Sequence, residues 1–106
     1  MKHFILIWAI LVSINSNVKE ESTWNIFKEA FDSADNNFLK KVKESHPSLT
    51  PNDLRLCAYL RLNLSSKEIA PLLNISVRSV EIKRYRLRKK IDLPHEKGLV
   101  EYILSI

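Results

Sequence analysis

The stretch that decides the fold runs from residue 65 to residue 90 and reads SSKEIAPLLNISVRSVEIKRYRLRKK. Ser65 and Glu68 form an S-x-x-E pattern, which is typical of a helix start because each side chain pairs with the other residue's backbone N–H. Apolar residues at helical spacing follow, and the turn NIS leads to Ser76, which we expect to cap a longer helix over residues 77–91. Two short helices joined by such a turn predict a helix-turn-helix.

The second of these helices carries the positive charge of the chain. The 106 residues include 17 Lys and Arg and 12 Asp and Glu, which gives a formal net charge of +5. Residues 78–90 contain seven basic side chains and one acidic side chain, so the rest of the chain is close to neutral. A positive charge confined to one element indicates an anionic partner rather than general solubility.

The spacing of residues in this helix separates three sets of side chains. An apolar set, Val80, Leu87 and Ile91 with Val77 near the entry, is expected to pack on Leu56, Leu60, Ile69 and Leu73. The opposite face, which we expect to meet base edges in a major groove, carries Arg78, Glu81, Ile82, Tyr85 and Lys89. The side chains expected at DNA phosphates are Arg84, Arg86, Arg88 and Lys90, with Ser66 and Lys67 from the start of the preceding helix.

The remainder of the chain also favours helices. In LTPNDLRLCAYLRL, residues 49–62, Thr50 is an N-cap, Pro51 suits the first helical position and Asp53 completes a capping box. Two short amphipathic helices are predicted over residues 22–32 and 37–45, separated by the turn DSADNN. Their expected apolar residues are Trp24, Phe27, Ala30, Phe31, Phe38, Leu39 and Val42. Cys57 is expected to be a small buried apolar residue.

Residues 49–93 resemble the LuxR/GerE-type helix-turn-helix, in which L-T-x-x-E is followed by L-S-x-K-E-I-A, I-S-x-x-T-V and a basic helix. The matching segments here are LSSKEIA at 64–70 and LNIS at 73–76. The resemblance implies an all-α, four-helix DNA-binding domain of a bacterial transcription regulator, preceded here by short amphipathic helices. The segment ahead of it resembles that of Bacteroidetes-type regulators, which carry this domain at the C-terminus. Asn63 replaces the usual Gly and Glu81 replaces a basic residue, so the base preferences of other members do not transfer.

These patterns predict three regions. They are an apolar N-terminal segment and linker at 1–21, a helical extension at 22–46 and the LuxR-like domain at 47–106. The last helix, EKGLVEYILSI, has more apolar residues than one buried stripe needs, and the resemblance implies a dimer contact there. We therefore expect a homodimer with Leu99, Tyr102 and Leu104 at the contact.

The apolar run Phe4–Ile14 is open to three interpretations: a secretion signal, a membrane anchor and a helix buried in the protein. As a helix it would be shorter than the hydrocarbon core of a bilayer. We expect the basic domain to remain in the cytoplasm, free or tethered to the inner membrane through this run.

Two other classes of function are alternatives to DNA binding. An enzyme is disfavoured because His3, His46 and His95 are scattered without metal-ligand spacing and one Gly gives no phosphate loop. We expect no catalytic residue, no metal and no cofactor. The other class is a helical protein-interaction module whose basic helix binds an acidic protein partner. Double-stranded DNA is the expected partner, and RNA polymerase is a second candidate.

Overall fold

The computed structural model describes the backbone of residues 20–106 and the side chains from Asn25 onward. The run Phe4–Ile14 and the side chain of Trp24 lie outside the described residues. Within the described range the chain forms six helices and no strand, which confirms the all-α prediction. The helices are α1 (Glu20–Ala34), α2 (Phe38–Ser45), α3 (Pro51–Arg61), α4 (Ser66–Leu73), α5 (Val77–Lys90) and α6 (Leu99–Ser105).

The predicted helix starts are confirmed at α3, α4 and α5. Both capping boxes are complete, with Thr50 paired to Asp53 and Ser65 paired to Glu68. In each box the backbone N–H of the cap residue donates to the carboxylate at 2.9 Å. Ser76 accepts from the backbone N–H of Ser79 at 3.1 Å and so caps α5. These bonds satisfy N–H groups that a helix start would otherwise leave unpaired.

The start of α2 is capped by a side chain of the preceding helix. The side chain of Asn37, at the N-cap position, makes no cap hydrogen bond. The buried carboxylate of Asp32 instead accepts from the backbone N–H of Leu39 at 2.8 Å. A side chain at the end of α1 therefore fixes the start of α2. Ala30, predicted to lie in the apolar stripe of α1, is exposed, so that part of the prediction is wrong.

A continuous hydrophobic core runs from Phe27 in α1 to Ile103 in α6. Leu60, Ile69, Val80 and Leu87, the predicted junction of α3, α4 and α5, are at most 1% exposed, which confirms their assignment. Val77 was expected to join them, but it is 39% exposed because it stands at the first position of α5, before the packed surface that begins at Val80. The core also crosses the predicted boundary between residues 46 and 47, since the rings of Phe27 and Tyr59 lie 5.9 Å apart.

Arg61, at the end of α3, ties α1, α2 and α6 together. Its guanidinium donates to both carboxylate oxygens of Asp35, through Nε at 3.0 Å and Nη2 at 3.2 Å. Nη1 donates to the backbone oxygens of Ile103 at 2.9 Å and Leu104 at 3.1 Å, near the end of α6. The same group lies 4.7 Å from the ring centroid of Phe38. This arrangement fixes α6 and the α1–α2 turn against the scaffold that supports α5.

Candidate nucleic-acid interface

Helices α4 and α5 are joined by a turn of three residues, Asn74, Ile75 and Ser76. Asn74 adopts the left-handed conformation, with φ of 56°, which ends α4. The backbone N–H of Ile75 donates to Ala70 at 3.0 Å, and Ser76 then starts α5. Because Ile69 of α4 and Val80 of α5 are both fully buried, the two helices are held in one packed unit.

The residues predicted to face bases lie together on the solvent side of α5. Arg78, Glu81, Ile82, Tyr85 and Lys89 are all exposed. Ile82 is 43% exposed and Tyr85 is 59% exposed, although both are large apolar side chains. The amine of Lys89 lies 4.7 Å from the ring centroid of Tyr85, within cation–π range. This surface, called here the outer face, combines hydrogen-bond donors, one acceptor and apolar groups on a single exposed row of a helix.

Three of the cations predicted at phosphates have acceptors inside the protein. Arg84 donates to the hydroxyl of Ser66 at 3.3 Å. Arg88 donates to the backbone oxygens of Pro94 at 2.7 Å and His95 at 3.0 Å, and to that of Lys97. It thereby fixes the segment between α5 and α6. Ser66 is itself 8% exposed, so its hydroxyl presents little surface to a ligand.

The third of these cations, Lys90, pairs with Asp53 at 2.6 Å. Partial burial by itself would raise the pKa of Asp53, but hydrogen bonds from Lys90 and from Thr50 outweigh it and lower the pKa. Asp53 therefore serves both the capping box of α3 and the last turn of α5. This pair holds the end of α5 against the start of α3.

Other cations on this surface make no hydrogen bond or ion pair within the described part of the chain. They are Arg78, Lys83 and Arg86 on α5 and Lys67 on α4, and all four are exposed. No role was predicted for Lys83 from the sequence. Its spacing of three residues from Arg86 and seven from Lys90 could have identified it, because these positions share one side of a helix.

The predicted dimer contact is only partly exposed. Leu99, which was predicted at the dimer contact, is 8% exposed and packs in the core, so it presents little surface to a partner. Tyr102 is half-buried, and its hydroxyl shares a hydrogen bond of 2.7 Å with His46 Nε2. Leu104 is 43% exposed. The first turn of α6 therefore packs inward, and its exposed apolar surface is smaller than predicted.

The remaining chemical features of the described residues concern metal sites, membranes and the thiol. No group of three or more His, Cys, Asp or Glu side chains within residues 20–106 is arranged to hold a metal ion. None of the described helices has the length and apolar character needed to span a bilayer. Cys57 is 1% exposed, as predicted for a small core residue, and its burial raises the pKa of the thiol to about 12.

Comparison with known proteins shows similarity to a regulator of transcription. Over 66 residues, or 62% of this chain, the sequence is 32% identical to the transcriptional regulatory protein MctR of Rhizobium johnstonii. The chain spans about a third of that protein's length, since the matched part is 31% of it. No protein-family profile matches the chain. No solved structure matches it. The similarity to MctR is consistent with a transcription regulator.

Proposed function

We propose that this chain is a transcription regulator that binds double-stranded DNA sequence-specifically, with α5 in the major groove. The observation that carries the proposal is the outer face of α5, where Ile82 and Tyr85 are exposed beside Arg78 and Lys89. A merely solvated helix gains nothing from exposing large apolar groups, whereas base edges offer methyl groups as well as hydrogen-bond partners. The similarity to MctR supports the coarser part of the proposal, a transcription regulator.

Four side chains of the outer face suit particular chemical groups of the major groove. Arg78 and Lys89 are donors that suit guanine O6 and N7. Glu81 only accepts, so it suits the amino group of cytosine and is repelled by phosphates elsewhere. Ile82 suits the methyl group of thymine. The sequence predicts phosphate contacts at Ser66, Lys67, Arg84, Arg86, Arg88 and Lys90. The proposal keeps Lys67, Arg86 and Lys90, because Ser66 is buried and Arg84 and Arg88 donate to acceptors inside the protein. Such contacts give affinity without sequence information.

The proposal extends to the architecture and the assembly of the domain. In this proposal helices α3 to α6 form a LuxR-like four-helix domain at 47–106, and the α1–α2 extension precedes it. A homodimer would read two half-sites about one helical turn of DNA apart, with Leu104 and the exposed edge of Tyr102 at the contact. A cytoplasmic location, a membrane contact through Phe4–Ile14 and binding to RNA polymerase belong to the proposal as well.

The second candidate function is a protein-interaction module in which the same face of α5 binds an acidic protein. It is favoured by the same basic side chains, so composition does not separate the two. The apolar groups of the outer face suit either partner. Nuclease treatment distinguishes the two functions, because it removes a bound nucleic acid and leaves a bound protein in place.

The experiment purifies the chain at low salt, before and after nuclease treatment, and measures the absorbance at 260 nm and the apparent mass. We expect both to fall on treatment. An Arg78→Gln/Lys89→Gln double variant should copurify with less nucleic acid than a Lys40→Gln/Lys41→Gln control of equal charge, whose side chains lie on α2. A bound acidic protein that survives nuclease, with no change at 260 nm, would contradict the proposal.

A further inference from the structure

The two flanks of α5 beside its outer face differ in charge and in how their cations are used. One flank carries Lys83, Arg86 and Lys90, at successive spacings of three and four residues. The other flank carries Arg84 and Arg88, four residues apart, and Glu81 of the outer face stands three residues before Arg84 on that side. In the first row only Lys90 has a partner within residues 20–106, Asp53. On the second flank both cations make internal hydrogen bonds, and an exposed carboxylate stands beside them.

The cost of contacting a phosphate differs between these rows. Lys83 and Arg86 are exposed and have no partner in the described part of the chain, so a phosphate displaces only water and counterions from them. Arg88 would have to give up backbone acceptors at Pro94 and His95, which would release the segment before α6. A hydrogen bond that is broken inside the protein offsets the one that is gained to the ligand.

Lys90 continues the row of Lys83 and Arg86 toward the end of α5. Its amine pairs with Asp53 beside the first turn of α3, but its side chain is 42% exposed. Because an ammonium group has three N–H donors, Lys90 can also donate to a phosphate without giving up Asp53. From Lys83 to Lys90 the helix rises by roughly 10 Å, so the row is long enough to reach more than one phosphate of one strand. The spacing of the row therefore fits a single stretch of DNA backbone along one wall of a groove.

We propose that Lys83 and Arg86, continued by Lys90, hold the phosphates of one DNA strand, whereas Arg84 and Arg88 position α4 and the 94–97 segment against α5. The inference rests on the proposed function and makes it more specific. It assigns Lys83 as a phosphate contact and gives Arg84 and Arg88 roles inside the protein. It also sets the orientation of α5, with the Lys83 row toward one strand and Glu81 on the far side.

The experiment measures how the affinity for one duplex depends on salt concentration, for the wild type and for single Gln variants. Each phosphate contact contributes nearly one to the slope of log affinity against log salt. Lys83→Gln and Arg86→Gln should each reduce the steepness of the slope by about 0.9. Arg84→Gln should leave the slope unchanged. Lys41→Gln, which removes the same charge from an exposed position on α2, should also leave it unchanged.

Two readouts separate the possible failures. If the wild type does not bind duplex DNA, the proposed function and this inference both fail. If the wild type binds but Lys83→Gln keeps the wild-type slope, or Arg84→Gln flattens the slope as much as Arg86→Gln does, the inference alone is overturned. Circular dichroism and melting temperature identify any variant that has lost its fold. Lys83→Gln is expected to keep its fold because its side chain has no partner in residues 20–106.

Discussion

Arg61 joins distant parts of the molecule through one guanidinium group. It pairs with Asp35 through two nitrogens and donates to the last turn of α6 through the third. An Arg61→Lys variant keeps the charge but loses the planar group that makes these bonds together. We expect it to lower the free energy of unfolding by about 2 to 3 kcal/mol, measured by urea denaturation.

The matched control for Arg61 is Arg86→Lys. Arg86 is exposed and makes no hydrogen bond or ion pair with residues 20–106, so its replacement should change stability by less than about 0.5 kcal/mol. Equal unfolding midpoints for Arg61→Lys and the wild type would show that the Arg61 contacts contribute nothing to the fold.

Cys57 provides a second test at the scale of one side chain. Burial raises the pKa of its thiol from 9.0 to about 12, so at pH 8 the folded protein holds it as the unreactive thiol. We expect a disulfide exchange reagent to modify Cys57 slowly in the native protein and rapidly in urea. Because the folded pKa is the higher one, this group's contribution to stability is complete below pH 9 and decreases as the pH rises toward 12. Rapid native modification at pH 8 would contradict the buried position.

Residue-scale predictions from sequence succeeded where the chemistry is local. The Ser65–Glu68 box was predictable because both partners lie in one helical turn and have few alternatives. The contacts of Arg61 were not, since Asp35 and Ile103 lie 26 and 42 residues away and only the packing of four helices brings them together. Arg88 was missed as a support of the 94–97 segment because a basic residue on a basic helix gives no sign of an internal acceptor.

At the scale of one element, α5 divides between a core side and the outer face. Leu87 is 1% exposed, and its truncation to Ala leaves a cavity, so we expect a loss of about 2 to 5 kcal/mol. Ile82→Ala removes an apolar group of similar size from the exposed side of the same helix and should cost less than about 0.5 kcal/mol. Melting temperatures compare the two variants. The two sides would be misassigned if Leu87→Ala had the melting temperature of the wild type. They would also be misassigned if Ile82→Ala lowered the melting temperature as much as we expect of Leu87→Ala.

The sequence was sufficient to predict which residues in the middle of α5 are buried, because helical periodicity places Val80 and Leu87 on the same side of the helix. It was insufficient at the two ends. Val77 has an apolar side chain but is 39% exposed, and Lys90 has an exposed position but an internal partner in Asp53. Both outcomes depend on where α3 begins and where α4 ends, and periodicity within α5 carries no information about that.

At the scale of the whole molecule, the α1–α2 extension and the helix-turn-helix share their core. The extension buries five large apolar side chains, Phe27, Phe31, Phe38, Leu39 and Val42. Side chains of this kind contribute roughly 1.5 to 3 kcal/mol each when buried, which together is comparable with the whole stability of a small domain. We therefore expect a fragment of residues 47–106 to have a much lower melting temperature than the full chain, and the full chain to unfold in one transition.

Calorimetry of the two proteins is the measurement. A fragment that melts with the full chain, or two separate transitions in the full chain, would contradict this view and would favour an independent domain at 47–106. The boundary was predicted after residue 46 because the predicted helix 37–45 ends there and the LuxR/GerE resemblance begins at residue 49. The contact between Phe27 and Tyr59 depends on tertiary packing across that boundary, which neither composition nor resemblance reports.

The central claim is that the outer face of α5 reads the sequence of double-stranded DNA. Selection of bound sites from a random duplex library, at one stated salt concentration, tests it most directly when wild type and Glu81→Gln are compared. We predict an enriched motif for the wild type. For Glu81→Gln we predict relaxed preference at one base pair and higher affinity for unselected DNA, because a carboxylate that excludes wrong bases and repels phosphates has become neutral. No enriched motif, or identical motifs for the two proteins, would contradict the claim.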